Sequence, residues 1–162
     1  MKRPIIFRGK TACDGSWIKG DLIGISSDFK PVQFIRCSYS EVYKVDPETV
    51  GQFTGLHDCE NRDIYEGDII RWADRSYYEL YLDSKDNPED YVEGGFDDLF
   101  EYGVVYYAAE ECDYPAFDVS NWNHDECNGL SSLAASGEWH FEVIGNIHDN
   151  PDMLPDAPAR GE

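Results

Sequence analysis

Along most of the chain, apolar side chains come in short bursts that alternate with polar ones, the period-two spacing of half-buried strands. The clearest stretch is Val45 to Trp72, VDPETVGQFTGLHDCENRDIYEGDIIRW, where Val50, Phe53, Leu56, Ile64, Ile69 and Ile70 are punctuated by Gly51, Gly55 and Gly67. Glycine at such points supplies positive φ or close backbone approach, so the segment reads as short strands joined by specified turns. Asp46-Pro47 starts a turn before it, and Gly67-Asp68 releases Ile69, Ile70 and Trp72 into a further strand. The same spacing predicts strands over residues 4–8 and 16–25, the second interrupted by a Gly20-Asp21 turn, and an extended stretch over 31–43. Further strands are expected at Tyr102 to Tyr107, Ala116 to Ser120 and Trp139 to Ile147, the last bent at Gly145-Asn146. Helix is confined to short pieces, near Phe96 to Phe100 and over Leu130 to Ser136. Residues 151–162, with three prolines, form a frayed tail.

Composition adds class and charge to this picture. A chain of 162 residues with 14% aromatic side chains, 11 of them Tyr, has the means to bury a β-rich core. The formal charge is −20, unevenly placed: residues 1–45 carry net +4 and residues 46–162 net −24. The stretch 74–126 holds sixteen carboxylates against two basic side chains, which repels phosphate backbones and disfavours direct nucleic-acid binding. The acidic run Ala73 to Glu101, with Asn87-Pro88 and Gly94-Gly95, reads as an insertion between strands. Met1-Lys2-Arg3 is followed by only Ile5, Ile6 and Phe7 before Arg8, too short for a leader, and 18 apolar residues never run together, so a cytoplasmic location away from membranes is expected. Cys13, Cys37, Cys59, Cys112 and Cys127 are odd in number and lack a Cys-x-x-Cys, which predicts reduced thiols rather than a disulfide framework.

Several constellations of side chains bear on chemistry. His57, Cys59, Cys112, His124 and Cys127 offer zinc-type donors, but His57-x-Cys59 and His124-x-x-Cys127 have no finger or knuckle spacing. Glu66 with Asp68, and Asp58 with Asp63, can act as paired carboxylates only where burial sets their pKa values apart; carboxylates that accept backbone N–H bonds in turns are the commoner reading. Neither Asp83 to Asp90 nor Asp118 to Gly129 has the ligand spacing of an EF-hand, and no phosphate loop, nucleophile elbow or His-Glu-x-x-His occurs. Trp17, Trp72, Trp122 and Trp139 offer the aromatic surface of a peptide groove, but Trp72 and Trp139 are expected in the core and Trp122 is left open.

Four blocks in order, Thr49 to Asp58 (TVGQFTGLHD), Ile64 to Ile70 (IYEGDII), Gly103 to Tyr106 (GVVY) and Glu142 to Pro151 (EVIGNIHDNP), resemble the YopX family of phage and prophage proteins. The chain departs from the family's pattern at Cys59-Glu60-Asn61-Arg62, where Asn61 stands at a turn position usually held by glycine; Asn is the residue next best suited to left-handed backbone. The resemblance implies a C-terminal region similar to an SH3-like barrel and a phage or prophage origin, and it carries no activity, so no functional residue is transferred. The resulting expectation is a mainly β protein: an N-terminal β subdomain over 1–45, a YopX-like barrel region over 46–150 with the acidic insertion 73–101, and little helix. The function expected is a non-enzymatic binding or assembly module of the bacterial cytoplasm, with a protein partner or copies of itself, and with no catalytic, cofactor or metal residues assigned. The alternatives are an acidic decoy for a basic host protein and a metal-dependent hydrolase.

Overall fold

The computed structural model describes residues 4–25, 32–74, 100–108, 116–121 and 129–153. The fold is mainly β, with two antiparallel sheets that belong to two compact units. The first unit comprises Met1–Leu56 and Asp63–Gly67, the second His57–Arg62 and Asp68–Glu162. The charge break at residue 45 falls inside the first unit, which carries eight basic and eight acidic side chains; the second carries five basic and twenty-five acidic ones, and with them the whole net charge of −20.

In the first unit, β1 (Phe7–Lys10), β2 (Trp17–Ile25), β3 (Val32–Arg36), β4 (Val42–Val45), β5 (Gly51–His57) and β6 (Asp63–Tyr65) form a sheet in the order β4-β3-β2-β1-β5-β6. An isolated bridge between Thr11 and Val45, with Ala12 N–H donating to Lys44 O at 2.9 Å, brings the end of β1 back against β4 and covers the Val45 end of that edge. The extended stretch 31–43 is two strands, β3 and the start of β4, because Cys37 N–H bonds Glu41 O at 3.0 Å and turns the chain. Ile35, Val45, Phe53, Ile64 and Tyr65 form the core on the inward faces.

The Gly20-Asp21 turn does not occur: β2 runs unbroken from Trp17 to Ile25, with Gly20 paired to Phe7 and Asp21 to Arg36. Glycine stands there for close approach, since a Cβ on Gly20 would lie 2.1 Å from Arg36 O. Asp46 does start a turn, capping the 3-10 helix Pro47–Thr49 by accepting Glu48 N–H at 3.1 Å. Gly51 meets the next crossing so closely that a Cβ would lie 2.3 Å from Glu66 O. Gly51→Ala is therefore expected to cost about 2 kcal/mol by forcing β5 away from Glu66, a loss that reads out as a lower urea midpoint.

In the second unit, β7 (Asp68–Asp74), β8 (Glu101–Ala108), β9 (Ala116–Val119) and β10 (Trp139–Asn146) form an antiparallel sheet in the order β10-β7-β8-β9, and α1 (Gly129–Ser136) packs on β9 and β10. These are the four strands and the short helix expected from the sequence. The acidic insertion begins and ends inside strands, because Ala73 and Asp74 belong to β7 and Glu101 to β8; residues 75–99, with the helix proposed near Phe96, lie outside the described residues. The bend in β10 is a register shift between Val143 and Gly145. Trp72, Ile69, Ile70, Val105, Leu130 and Leu133 are essentially inaccessible and make the core of this unit. Asp118 Oδ1 on β9 accepts Gly129 N–H at 2.6 Å, which ties the first residue of α1 to that strand. Among the described residues no helix is long and apolar enough to cross a membrane.

Candidate metal centre

The turn HDCENR sits beside β10 in the second unit, and Asp58 organises it. Asp58 Oδ1 accepts Glu60 N–H at 3.0 Å and Arg62 N–H at 2.8 Å; Oδ2 accepts Arg62 Nε–H at 2.6 Å and Val143 N–H at 3.0 Å. Asn61 takes φ 63°, the left-handed conformation its place in the turn demands. Cys59 N–H donates to Phe141 O at 3.1 Å, so the turn is tied to β10 at two successive rungs and covers part of that strand's open edge. Burial pushes Asp58's carboxyl up, but the hydrogen bonds from Val143 and Arg62 outweigh it and hold the group below its ordinary range.

These ties place Cys59 opposite two residues of β10. His140 and Glu142 are two apart on a strand and project from the same face. One donor atom from each of Cys59, His140 and Glu142 lies within 4.8 Å of the other two. Glu142 is fixed from across the sheet by Arg71, its register partner on β7, whose Nε and Nη2 both approach Oε2 at 2.5 Å. The Arg71 guanidinium also stacks 4.5 Å from the Phe100 ring centre. The second oxygen, Oε1, faces His140 Nε2 at 3.7 Å.

Desolvation, with the carboxylates of Glu142, Asp58 and Glu60 adding repulsion, pushes the Cys59 thiol up to about 11, so it is a protonated thiol at neutral pH and a poor nucleophile. Burial lowers the pKa of His140 despite the neighbouring Glu142, which keeps the imidazole neutral at physiological pH. The set is an S, N, O donor triad rather than a nucleophile with its base.

Of the residues singled out from sequence, Cys59 is the one that joins this cluster. His57 is exposed, and Cys112, His124, Cys127 and Trp122 lie outside the described residues. His140 and Glu142 were missed because a His-x-Glu pair on a strand has no motif of its own; the signal available was their shared face on β10. The carboxylates of the Val45 to Trp72 segment have structural partners: Asp63 pairs with Lys19 at 3.1 Å, and Glu66 Oε2 accepts Gln52 N–H at 3.5 Å. Trp72 is fully buried and Trp139 half-buried, while Trp17 carries Arg8 and Lys10 over its ring at 4.8 and 5.4 Å.

Two antiparallel sheets with one described α-helix define the class, and a solved structure shares the fold: the crystal structure of protein EF1440 from Enterococcus faecalis, at 18% identity, covers 94% of this chain and 99% of its own with a TM-score of 0.51. The family profile described as YopX protein matches residues 6–155, and the chain belongs to the YopX family. No curated protein matches the chain.

Proposed function

We propose that this chain is a phage- or prophage-derived accessory protein of the bacterial cytoplasm that acts without catalysis, as a module for binding or assembling proteins. The observation that carries the reading is the tip of the β3–β4 hairpin in the electrically balanced first unit. Tyr39 is fully exposed there, followed by Val42 and Tyr43 at 49% and 39% exposure. Beside it lies a cleft of about 570 Å³ in which Ile6 and Tyr39 are joined by Lys19, Asp21 and Arg36. Exposed tyrosines next to a cleft with both signs of charge are what a protein contact uses for affinity and register, whereas a lone apolar residue on a surface has no such setting. The net −20 of the second unit keeps phosphate backbones away, which favours a protein partner over a nucleic acid.

The experiment is photocrosslinking in lysogenic cells from position 40, the exposed serine between the two tyrosines. Crosslinks to one protein, lost in a Tyr39→Ser/Val42→Ser/Tyr43→Ser variant that unfolds at the wild-type urea midpoint, are the expected result. Crosslinks indifferent to those substitutions, or capture that needs the acidic unit and disappears with added salt, would overturn the reading in favour of an acidic decoy for a basic protein.

A further inference from the structure

We propose that Cys59, His140 and Glu142 form a binding site for one zinc-type divalent ion, closing the HDCENR turn onto strand β10. A thiol, an imidazole and a carboxylate are the three donor classes that zinc accepts together. Calcium and magnesium instead require shells of oxygen, which this cluster lacks.

The geometry is close to a chelating one. Around a tetrahedral ion with bonds of about 2.0–2.3 Å, neighbouring donors stand about 3.3–3.7 Å apart. His140 Nε2 and Glu142 Oε1 are already at 3.7 Å, and all three donors fall within 4.8 Å, so the sulfur has about 1 Å to close through its own side-chain torsion. The supports are in place before any ion arrives. Arg71 holds Oε2 of Glu142 while Oε1 faces His140, the orienting work that an outer hydrogen bond does for a metal carboxylate. The Cys59 N–H to Phe141 O bond and the Asp58 to Val143 bond fix the turn on either side of the thiol.

On binding, the ion takes the thiolate and the thiol proton passes to water, so the site gains one positive charge among Glu142, Asp58 and Glu60. Cys59 is exposed, which leaves the fourth coordination position open to water or to a donor from another molecule. The site belongs to the second unit and is independent of the hairpin contact in the first.

Cobalt(II) titration of the full-length, reduced protein tests this, because a cobalt–thiolate bond gives a charge-transfer absorption that carboxylate or imidazole ligation lacks. The expected result is saturation at one cobalt per chain with that band, reversal by zinc, loss of the band in Cys59→Ser, and at least about tenfold weaker binding in His140→Gln and Glu142→Gln. Cys13→Ser, Cys37→Ser, Cys112→Ser and Cys127→Ser should keep it. Far-UV circular dichroism of Cys59→Ser checks the fold; should that variant misfold, the loss of affinity in His140→Gln decides. Absence of saturable binding in the wild type, a band that survives Cys59→Ser, or unchanged affinity in His140→Gln overturns the proposal.

Discussion

Asp58→Ala is expected to lower the stability of the protein by about 3–5 kcal/mol, more than any other change of a polar side chain described above. The side chain is fully buried and accepts four hydrogen bonds, two from the turn's own backbone, one from the Arg62 guanidinium and one from Val143 on β10. Alanine leaves those donors without an acceptor while the turn stays pressed against the strand. Water can reach Arg62, which is 45% exposed, so most of the cost falls on the backbone amides and little on the ion pair. Asp58→Asn keeps one carbonyl oxygen but must turn an amide N–H₂ toward a donor, and should recover less than half of the loss.

The same group has a pH signature. Because its folded pKa lies below the ordinary 3.8, Asp58 contributes its full stabilisation above that pH, and the contribution disappears as pH falls through the folded value. Urea midpoints measured between pH 6 and pH 3 (about the range that brackets carboxyl titration) should therefore fall more steeply in the wild type than in Asp58→Asn. Parallel acid limbs in the two proteins would show that Asp58 is not held as the structure describes.

Strands were legible in the sequence wherever a local rule fixed them. Apolar alternation marked β7, β8, β9 and β10, Asp46-Pro47 marked its turn, and Asn61 in left-handed backbone followed from its place in the HDCENR turn. The reading failed where the cause was non-local. Gly20 beside Asp21 reads locally as a turn glycine, yet the reason for it is a carbonyl sixteen residues away at Arg36, which no short window of sequence around Gly20 contains. The candidate site divided in the same way. Asp58 was visible as a turn carboxylate, but its fourth donor, Val143, lies 85 residues on. Cys59 stood out as a zinc-type donor, but spacing rules describe ligands on one hairpin or helix, whereas the cluster it joins takes one donor from a turn and two from a strand about 80 residues on.

Trp72→Ala is expected to cost about 3–5 kcal/mol, the other large effect, and for an unlike reason. Trp72 is wholly inaccessible in β7, the strand that pairs with both β10 and β8 and therefore has no open edge of its own. Its indole reaches the backbone of β8, where a Cβ on Gly103 would stand 3.1 Å from Trp72 Cη2 and 2.1 Å from Ser120 O. The ring and the missing side chain at Gly103 are thus two halves of one packing solution, a large residue on β7 accommodated by the smallest one on the neighbouring strand. Removing the indole empties that volume, and backbone carbonyls hydrogen-bonded across β8 and β9 cannot collapse into it, so the cavity term adds to the lost transfer energy. Gly103→Ala attacks the same place from the other side: even one methyl must displace Ser120 O, and a loss of about 2–3 kcal/mol is expected. The fact that separates packing from simple hydrophobicity is the double variant. In Trp72→Phe/Gly103→Ala the shorter ring relieves the contact with the indole but not the one with Ser120 O, so the combined loss in urea unfolding should fall below the sum of the single losses by about 0.5–1 kcal/mol while staying larger than either. Strict additivity would mean that Trp72 and Gly103 do not share this space in the folded protein.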